Sequence, residues 1–142
     1  MEPIQIILDT NVIYAALRSN RGASYRLLSL LKSEKFDINL SVPLVIEYED
    51  VLKRKQQTLV FSEVQIDQFL DYLCLVANWH EVYFLWRPIL KDPEDDMVLE
   101  LAVRAGCKYI ITYNKNDFSG IEKFGIKPAT AKEFLQQINE LP

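Results

Sequence analysis

Ile4-Gln5-Ile6-Ile7-Leu8 is the stretch that most limits what this chain can become. Short, rich in β-branched side chains and almost continuously apolar, it reads as a buried strand. Directly after it, Asp9-Thr10-Asn11-Val12 leads into Ile13-Tyr14-Ala15-Ala16-Leu17, which has the character of the first turns of a helix. A carboxylate and two small polar side chains therefore stand where a strand hands over to a helix. In an open parallel α/β sheet that edge is where ligands bind. Asp, Thr and Asn are also good helix N-caps. The two roles are compatible, with Asn11 as cap and Asp9 facing the crevice.

The rest of the chain repeats the alternation. Apolar positions Tyr25, Leu27, Leu28, Leu30 and Leu31 form a helical stripe over residues 23–35, and Phe36-Asp37-Ile38-Asn39-Leu40 alternates as a short strand does. Ser41-Val42-Pro43 opens a helix with a serine cap and proline in its first turn, ending in Lys53-Arg54-Lys55. Ser62-Glu63-Val64-Gln65 has the form of a capping box and starts a helix to about Ala77. Its stripe of Val64, Ile66, Phe69, Leu70 and Leu73 is expected in the core, as is the aromatic segment 79–86. Residues 78–90 are expected to contain a strand. Asp92-Pro93-Glu94-Asp95 begins the clearest helix, which stops at Gly106. Lys108 to Thr112 reads as a further strand, 113–118 as a polar turn, and Ala131 to Ile138 as the last helix. No linker or internal repeat interrupts the pattern. The expected architecture is one α/β domain over residues 1–142, three-layered, with a central, mainly parallel sheet flanked by helices.

Composition narrows the function. A net charge of −4 and a pI near 5.0 exclude binding through a broad basic surface. A nucleic-acid partner would need a local basic cluster or a bridging cation to overcome phosphate repulsion. A single histidine, His80, and two distant cysteines, Cys74 and Cys107, argue against a His/Cys zinc site and against a disulfide framework. No apolar run approaches membrane-spanning length, and the N-terminus lacks the pattern of a signal peptide, so a cytoplasmic protein with no membrane partner is expected.

Four carboxylates fall at the ends of elements: Asp9 after the first strand, Glu47 in the second turn after Ser41, Asp95 in the first turn after Asp92-Pro93, and Asp117 five residues after Thr112. If these edges share one side of a parallel sheet, the acids converge and repel, and must take up cations or protons. All-oxygen ligands select Mg²⁺ or Mn²⁺ over zinc. Taken one at a time, each acid also has an ordinary role: a solvated helix face for Glu47, a favourable helix dipole for Asp95, a turn cap for Asp117.

Four segments, in order over residues 4–118, resemble the PIN-domain ribonucleases. Leu8-Asp9-Thr10-Asn11-Val12 is similar to that family's opening signature. Ser41-Val42-Pro43 followed by Glu47-Tyr48-Glu49-Asp50-Val51-Leu52 resembles the segment with its second acid, Asp92-Pro93-Glu94-Asp95-Asp96 with Leu99-Glu100-Leu101-Ala102 the third, and Thr112-Tyr113-Asn114-Lys115-Asn116-Asp117-Phe118 the last. The strongest likeness is to the toxin components of bacterial toxin–antitoxin systems.

The resemblance implies a metal-dependent endoribonuclease using Mg²⁺ or Mn²⁺. Asp9, Glu47, Asp95 and Asp117 would be metal-holding and catalytic, with Thr10, Asn11, Thr112 and Asn114 as supporting polar groups. Asp96 competes with Asp95, Asn114 with Asp117, and Glu49 with Glu47. Arg18, Arg21, Lys53 and Arg54 are candidate contacts to RNA. An antitoxin protein and a second copy of the chain are the implied partners. Two other readings stand beside this one: a non-catalytic RNA- or protein-binding module on the same scaffold, and phosphoryl transfer through an aspartyl intermediate at Asp9. The latter fits poorly, because it calls for a second acid where the chain has Asn11.

Overall fold

The computed structural model describes residues 2–83 and 89–142. Five strands, β1 (Ile4–Leu8), β2 (Phe36–Leu40), β3 (Asn78–Trp79), β4 (Tyr109–Ile111) and β5 (Lys127–Ala129), form one sheet in the order β3-β2-β1-β4-β5. Every pairing is parallel; Ile6 stands opposite both Ile38 of β2 and Tyr109 of β4. Parallel strands need crossovers. These are α1 (Thr10–Arg18) and α2 (Ala23–Ser29) between β1 and β2, α3 (Val42–Arg54) and α4 (Glu63–Val76) between β2 and β3, and α5 (Pro93–Arg104) before β4, while α6 (Ala131–Gln137) follows β5. The strand order reverses at β1, so right-handed crossovers put the helices linking β1, β2 and β3 on one face and α5 on the other. The result is the three-layer α/β arrangement expected from the alternation.

The core is built from the apolar sides of both layers. Ile6, Ile7 and Leu8 of β1, Ile110 and Ile111 of β4, and Val98, Leu99, Leu101 and Ala102 of α5 are all essentially inaccessible. Phe134 of α6 meets Phe36 and Tyr109 edge-on, with ring centroids 5.5 and 5.3 Å apart. The end of β1 is held from α3, where the buried Tyr48 hydroxyl donates to the Leu8 carbonyl. The α5 side of β1 and β2 is polar where it nears β3. Buried Asn39 donates to Gln5 Oε1 at 2.9 Å and to the Ile6 carbonyl at 3.1 Å, and its Oδ1 meets His80 Nε2 at 2.8 Å. The histidine is thus occupied in setting the register of the sheet's edge.

Several expectations shift. Helix α1 starts at Thr10 rather than near Ile13, and its N-cap is Asp9, whose side chain accepts from the Thr10 N–H; Asn11 is already inside the first turn. The helix expected over 23–35 ends at Ser29, because residues 30–35 turn back toward β2 with Glu34 at φ 66°. In α4, Ile66, Leu70 and Leu73 are buried but Val64 is 64% exposed, on the solvent side of the first turn. The strand within 78–90 is only Asn78–Trp79; Trp79 and Tyr83 are about half exposed rather than core, and residues 84–88 lie outside the described residues. Strand β5 carries Pro128, which an edge strand tolerates.

Removing the Tyr48 hydroxyl leaves a buried carbonyl at the end of β1 without its donor. Tyr48→Phe should cost about 1–3 kcal/mol in urea unfolding. An unchanged midpoint would show that the bond contributes nothing.

Candidate metal centre

In a parallel sheet all strands end on one edge. Here Asp9, Ser41, Thr112 and Thr130 directly follow β1, β2, β4 and β5. The ladder continues one step beyond the strands, since Asp9 N–H donates to the Ile111 carbonyl at 2.8 Å and Thr112 N–H to the Ala129 carbonyl at 2.9 Å. Asp9 and Thr112 therefore flank the point where the strand order reverses, the position at which α/β sheets open a ligand crevice.

Each oxygen of Asp9 is fixed by one donor. Oδ1 accepts from Thr10 N–H at 2.9 Å, and Oδ2 from the hydroxyl of fully buried Thr112 at 2.8 Å. That leaves further lone pairs on both oxygens. Thr112 Oγ1 in turn accepts from Asn114 N–H at 3.0 Å and from Asn11 Nδ2 at 3.5 Å, while Asn11 Oδ1 accepts from Tyr113 N–H at 3.2 Å. Thr10 works on the other side of the crevice, its hydroxyl donating to Glu47 Oε2 at 2.9 Å. The small polar residues hold the acids in place, tying α1 to the β4 loop and to α3.

The structure brings Asp95 and Asp117 within electrostatic reach of Asp9, and Asp9 within reach of Glu47, with Asp92 and Glu94 beside them. Burial pushes Asp9 upward against the lowering effect of its hydrogen bonds, and the charges of Asp117 and Asp92 raise it further. Glu47 is pushed up to about 7, first by burial, then by a carboxyl–carboxyl hydrogen bond with Glu94 and by the charges of Glu94 and Asp9. Asp95 also rises to about 7, through burial and the charges of Asp9, Asp92, Asp117 and Glu94. Among the described residues no ion pair involves any of these six acids. The cation next in sequence to Asp117, Lys115, is turned to Glu133 at 3.0 Å.

The side chains match a hard divalent cation in chemistry, since they offer only oxygen donors and their negative charge lacks a counter-ion. They are not drawn into a closed shell: among the described residues no three potential ligands stand close enough to enclose an ion as they are.

A family model described as PIN domain matches residues 5–116, most of the chain and all four acid segments but for Asp117. The chain belongs to the PIN-domain family. No curated protein matches it. Among solved structures, this PIN domain resembles a chain of VapBC2 from Rickettsia felis, crystallised bound to a DNA fragment from their promoter. The TM-score is 0.62 at 14% identity, over 89% of this chain and 98% of that one. At that identity the likeness is one of fold.

Within the PIN domain the rival acids separate by their contacts. Asp96 Oδ1 accepts the N–H groups of Ile89 and Leu90, at 3.1 and 2.9 Å, which ties it to the preceding loop, whereas Asp95 feels Asp9 and Asp117. Glu49 is exposed and pairs with Lys53 at 3.2 Å, while Glu47 turns to Thr10. Asn114 engages the site through its backbone N–H; Asp117 is exposed on the following 3-10 turn (Lys115–Phe118) and contributes charge. Glu94 joins the cluster through Glu47, although from sequence it reads only as an acid favoured by the helix dipole; its place beside Asp95 after Asp92-Pro93 was the available signal. Of the basic candidates, Lys53 pairs with Asp67 at 2.8 Å and Arg54 with Asp50 at 2.9 Å, Arg21 is exposed at the start of the turn before α2, and Arg18 donates to the Tyr14 hydroxyl at 3.0 Å.

Raised carboxylates set a sign for stability. Glu47 and Asp95 titrate near 7 when folded and near 4 when unfolded, so between about pH 4 and 7 the native state holds more protons and stability falls as pH rises. Thermal unfolding in EDTA should therefore show the midpoint dropping from pH 5 to pH 8, in steps of roughly one unit, with Asp95→Asn flattening the drop. Mg²⁺ or Mn²⁺ should restore the midpoint at the alkaline end. A midpoint rising over that range would contradict the assigned repulsion.

Proposed function

We propose that this protein is an endoribonuclease that hydrolyses RNA phosphodiester bonds with Mg²⁺ or Mn²⁺, and that it is the toxin of a toxin–antitoxin pair. The observation that carries the reading is the convergence of Asp9, Glu47 and Asp95 at the reversal of strand order with no counter-cation. Membership of the PIN family and the four signature segments support it. Asp9, Glu47 and Asp95 would hold the metal, with Asp117 contributing at the rim. A bound divalent ion supplies Lewis acidity toward a phosphate oxygen and lowers the pKa of water. It also offsets the repulsion between an acidic crevice and a polyanion.

The chain's own residues supply order and proton handling. Thr112 and the Thr10 N–H hold the Asp9 carboxylate in place, a fixed point about which the other acids can close on a ligand. Thr10 orients Glu47. Without an ion, Glu47 is pushed up to about 7 by burial and by Glu94 beside it, so it would give up its proton near neutral pH as a cation binds.

A partner surface accompanies this reading. Val42 and Ile46, one turn apart on α3, are 61% and 59% exposed, and we assign this face to contact with a second copy of the chain or with an antitoxin. Sizing at micromolar concentration should give a dimer; monomer alone would remove the homodimer. The free thiols Cys74 and Cys107, and the absence among the described residues of a helix long and apolar enough to cross a membrane, are consistent with a place in the cytoplasm.

The open spacing of the acids favours one alternative, a non-catalytic RNA- or protein-binding module. RNA cleavage assays with added Mn²⁺ separate the two. Asp9→Asn should abolish cleavage with the fold intact by circular dichroism, and Thr112→Val should lower kcat about 10- to 100-fold through the loosened Asp9 carboxylate. Full cleavage by the Asp9 variant would overturn the site. RNA binding indifferent to EDTA, with no cleavage under any metal, would establish the module instead.

A further inference from the structure

The sequence pointed to Arg18, Arg21, Lys53 and Arg54 as RNA contacts, but the structure groups the cations differently. Most of the basic residues near α3 are already paired: Lys53 with Glu49 and Asp67, Arg54 with Asp50. Arg18 and Lys55 are not. Among the described residues neither forms an ion pair, yet both lie against the same ring, with Arg18 Cζ 5.9 Å and Lys55 Nζ 4.8 Å from the centroid of Tyr14. The ring is itself pinned. The Thr58 hydroxyl donates to the Lys55 carbonyl at 2.6 Å, so it accepts from the Tyr14 hydroxyl at 2.6 Å, which in turn accepts from Arg18 Nη1 at 3.0 Å. Two cations from different elements are thus held together on an aromatic anchor without an acid to neutralise them. Both side chains are exposed, so an anion can reach them from solvent.

Their position relates them to the acid cluster. Thr10, Tyr14 and Arg18 succeed one another at i, i+4 and i+8 on one face of α1, and Thr10 is the residue bonded to Glu47. Glu47 and Lys55 are likewise eight residues apart, along α3 and its C-cap. Eight residues of helix span about 12 Å. Along the seam where α1 meets α3, the acid end at Thr10 and Glu47 therefore lies about 12 Å from the cation pair at Tyr14 and Lys55, roughly two nucleotides' length.

We propose that Arg18 and Lys55, fixed on Tyr14, form a subsite for backbone phosphates of the single-stranded RNA whose scissile bond lies at the acid cluster. The subsite rests on the ribonuclease reading for its substrate but not for its test, which reads binding. Phosphate contact positions a strand without reading its sequence. It would also let an acidic protein hold RNA away from its own carboxylates. The free donors of the Arg18 guanidinium suit a phosphate, and Lys55 adds a second point charge.

The test uses full-length Asp9→Asn protein in Mg²⁺ buffer and a fluorescent single-stranded RNA of about 12 nucleotides. Anisotropy is followed across a salt series. Arg18→Ala/Lys55→Ala should weaken binding about 10-fold at low salt and reduce the slope of log K against log salt by about 1.4, two contacts at 0.7 each. Lys32→Ala/Lys123→Ala, which removes the same charge elsewhere, should leave both unchanged. Equal losses in the two double variants would reduce the effect to net charge and overturn the subsite. So would no loss in the first, or a loss toward polyglutamate but not RNA, which would assign the pair to an acidic protein segment. In the cleavage-competent protein the same double variant should raise KM and leave kcat unchanged. Absence of cleavage in the unmodified protein would sink the ribonuclease reading and leave the binding result standing.

Discussion

The bond from the Thr112 hydroxyl to Asp9 crosses the one place in the sheet where neighbouring strands lead in opposite directions round the fold. Around it the site is assembled. The pairing of β1 with β4 brings residue 9 beside residue 112, and the continued ladder through Asp9 N–H and Thr112 N–H keeps both at fixed height above the sheet. From Thr112 the network reaches Asn11 and the Asn114 backbone, and from Thr10 it reaches Glu47 on α3. Asp9 and Glu47 are held at the site by small polar groups that donate to them. Each donated hydrogen bond offsets part of the cost of a half-buried negative charge.

What these bonds do not offset is the repulsion among the acids. Asp9 raises Asp95, Asp117 and Asp92 raise Asp9, Glu94 raises Glu47, and among the described residues no ion pair offsets them. A core would gain nothing from the repulsion within such a cluster. Perturbed carboxylates gathered at the crevice of an α/β sheet are the pattern on which the proposed metal site rests. The cation pair on Tyr14 is the same feature with the sign reversed, charge held ready and left uncompensated within the reach of a single strand. Acids at one end of the seam and cations at the other make sense together for a ligand that brings both phosphates and a divalent ion.

Much of this was legible in the chain because the local signals and the global fold agree. The run Ile4–Leu8 declares a strand buried on both sides, Ser41-Val42-Pro43 and Asp92-Pro93 declare helix starts, and the helices begin where those caps predict. Asp9, Glu47 and Asp95 could be picked from twenty acids only through their family resemblance, since periodicity alone treats each as a cap or a solvated face. Other features depend on the third dimension. Glu94 enters the site because α5 brings its first turn against α3, and nothing in the spacing of residues 47 and 94 announces it. Strand β5 is three residues with a central proline, below the length at which alternation can be read. The pairing of Lys55 with Arg18 rather than with its neighbours Lys53 and Arg54 depends on the rotation of α3 about its axis. Trp79 and Tyr83 look like core from composition, but the sheet ends at β3 and leaves them on its margin.

The central claim is that the crowded carboxylates exist to take a divalent cation in exchange for protons. Calorimetric titration of Mn²⁺, repeated in buffers of different ionisation enthalpy, measures that exchange directly. With Glu47 and Asp95 both titrating near 7, binding at pH 6.5 should release about one proton or more per ion, and binding at pH 8.5 should release close to none. Ion binding without proton release at pH 6.5, or no saturable binding at either pH, would contradict the account.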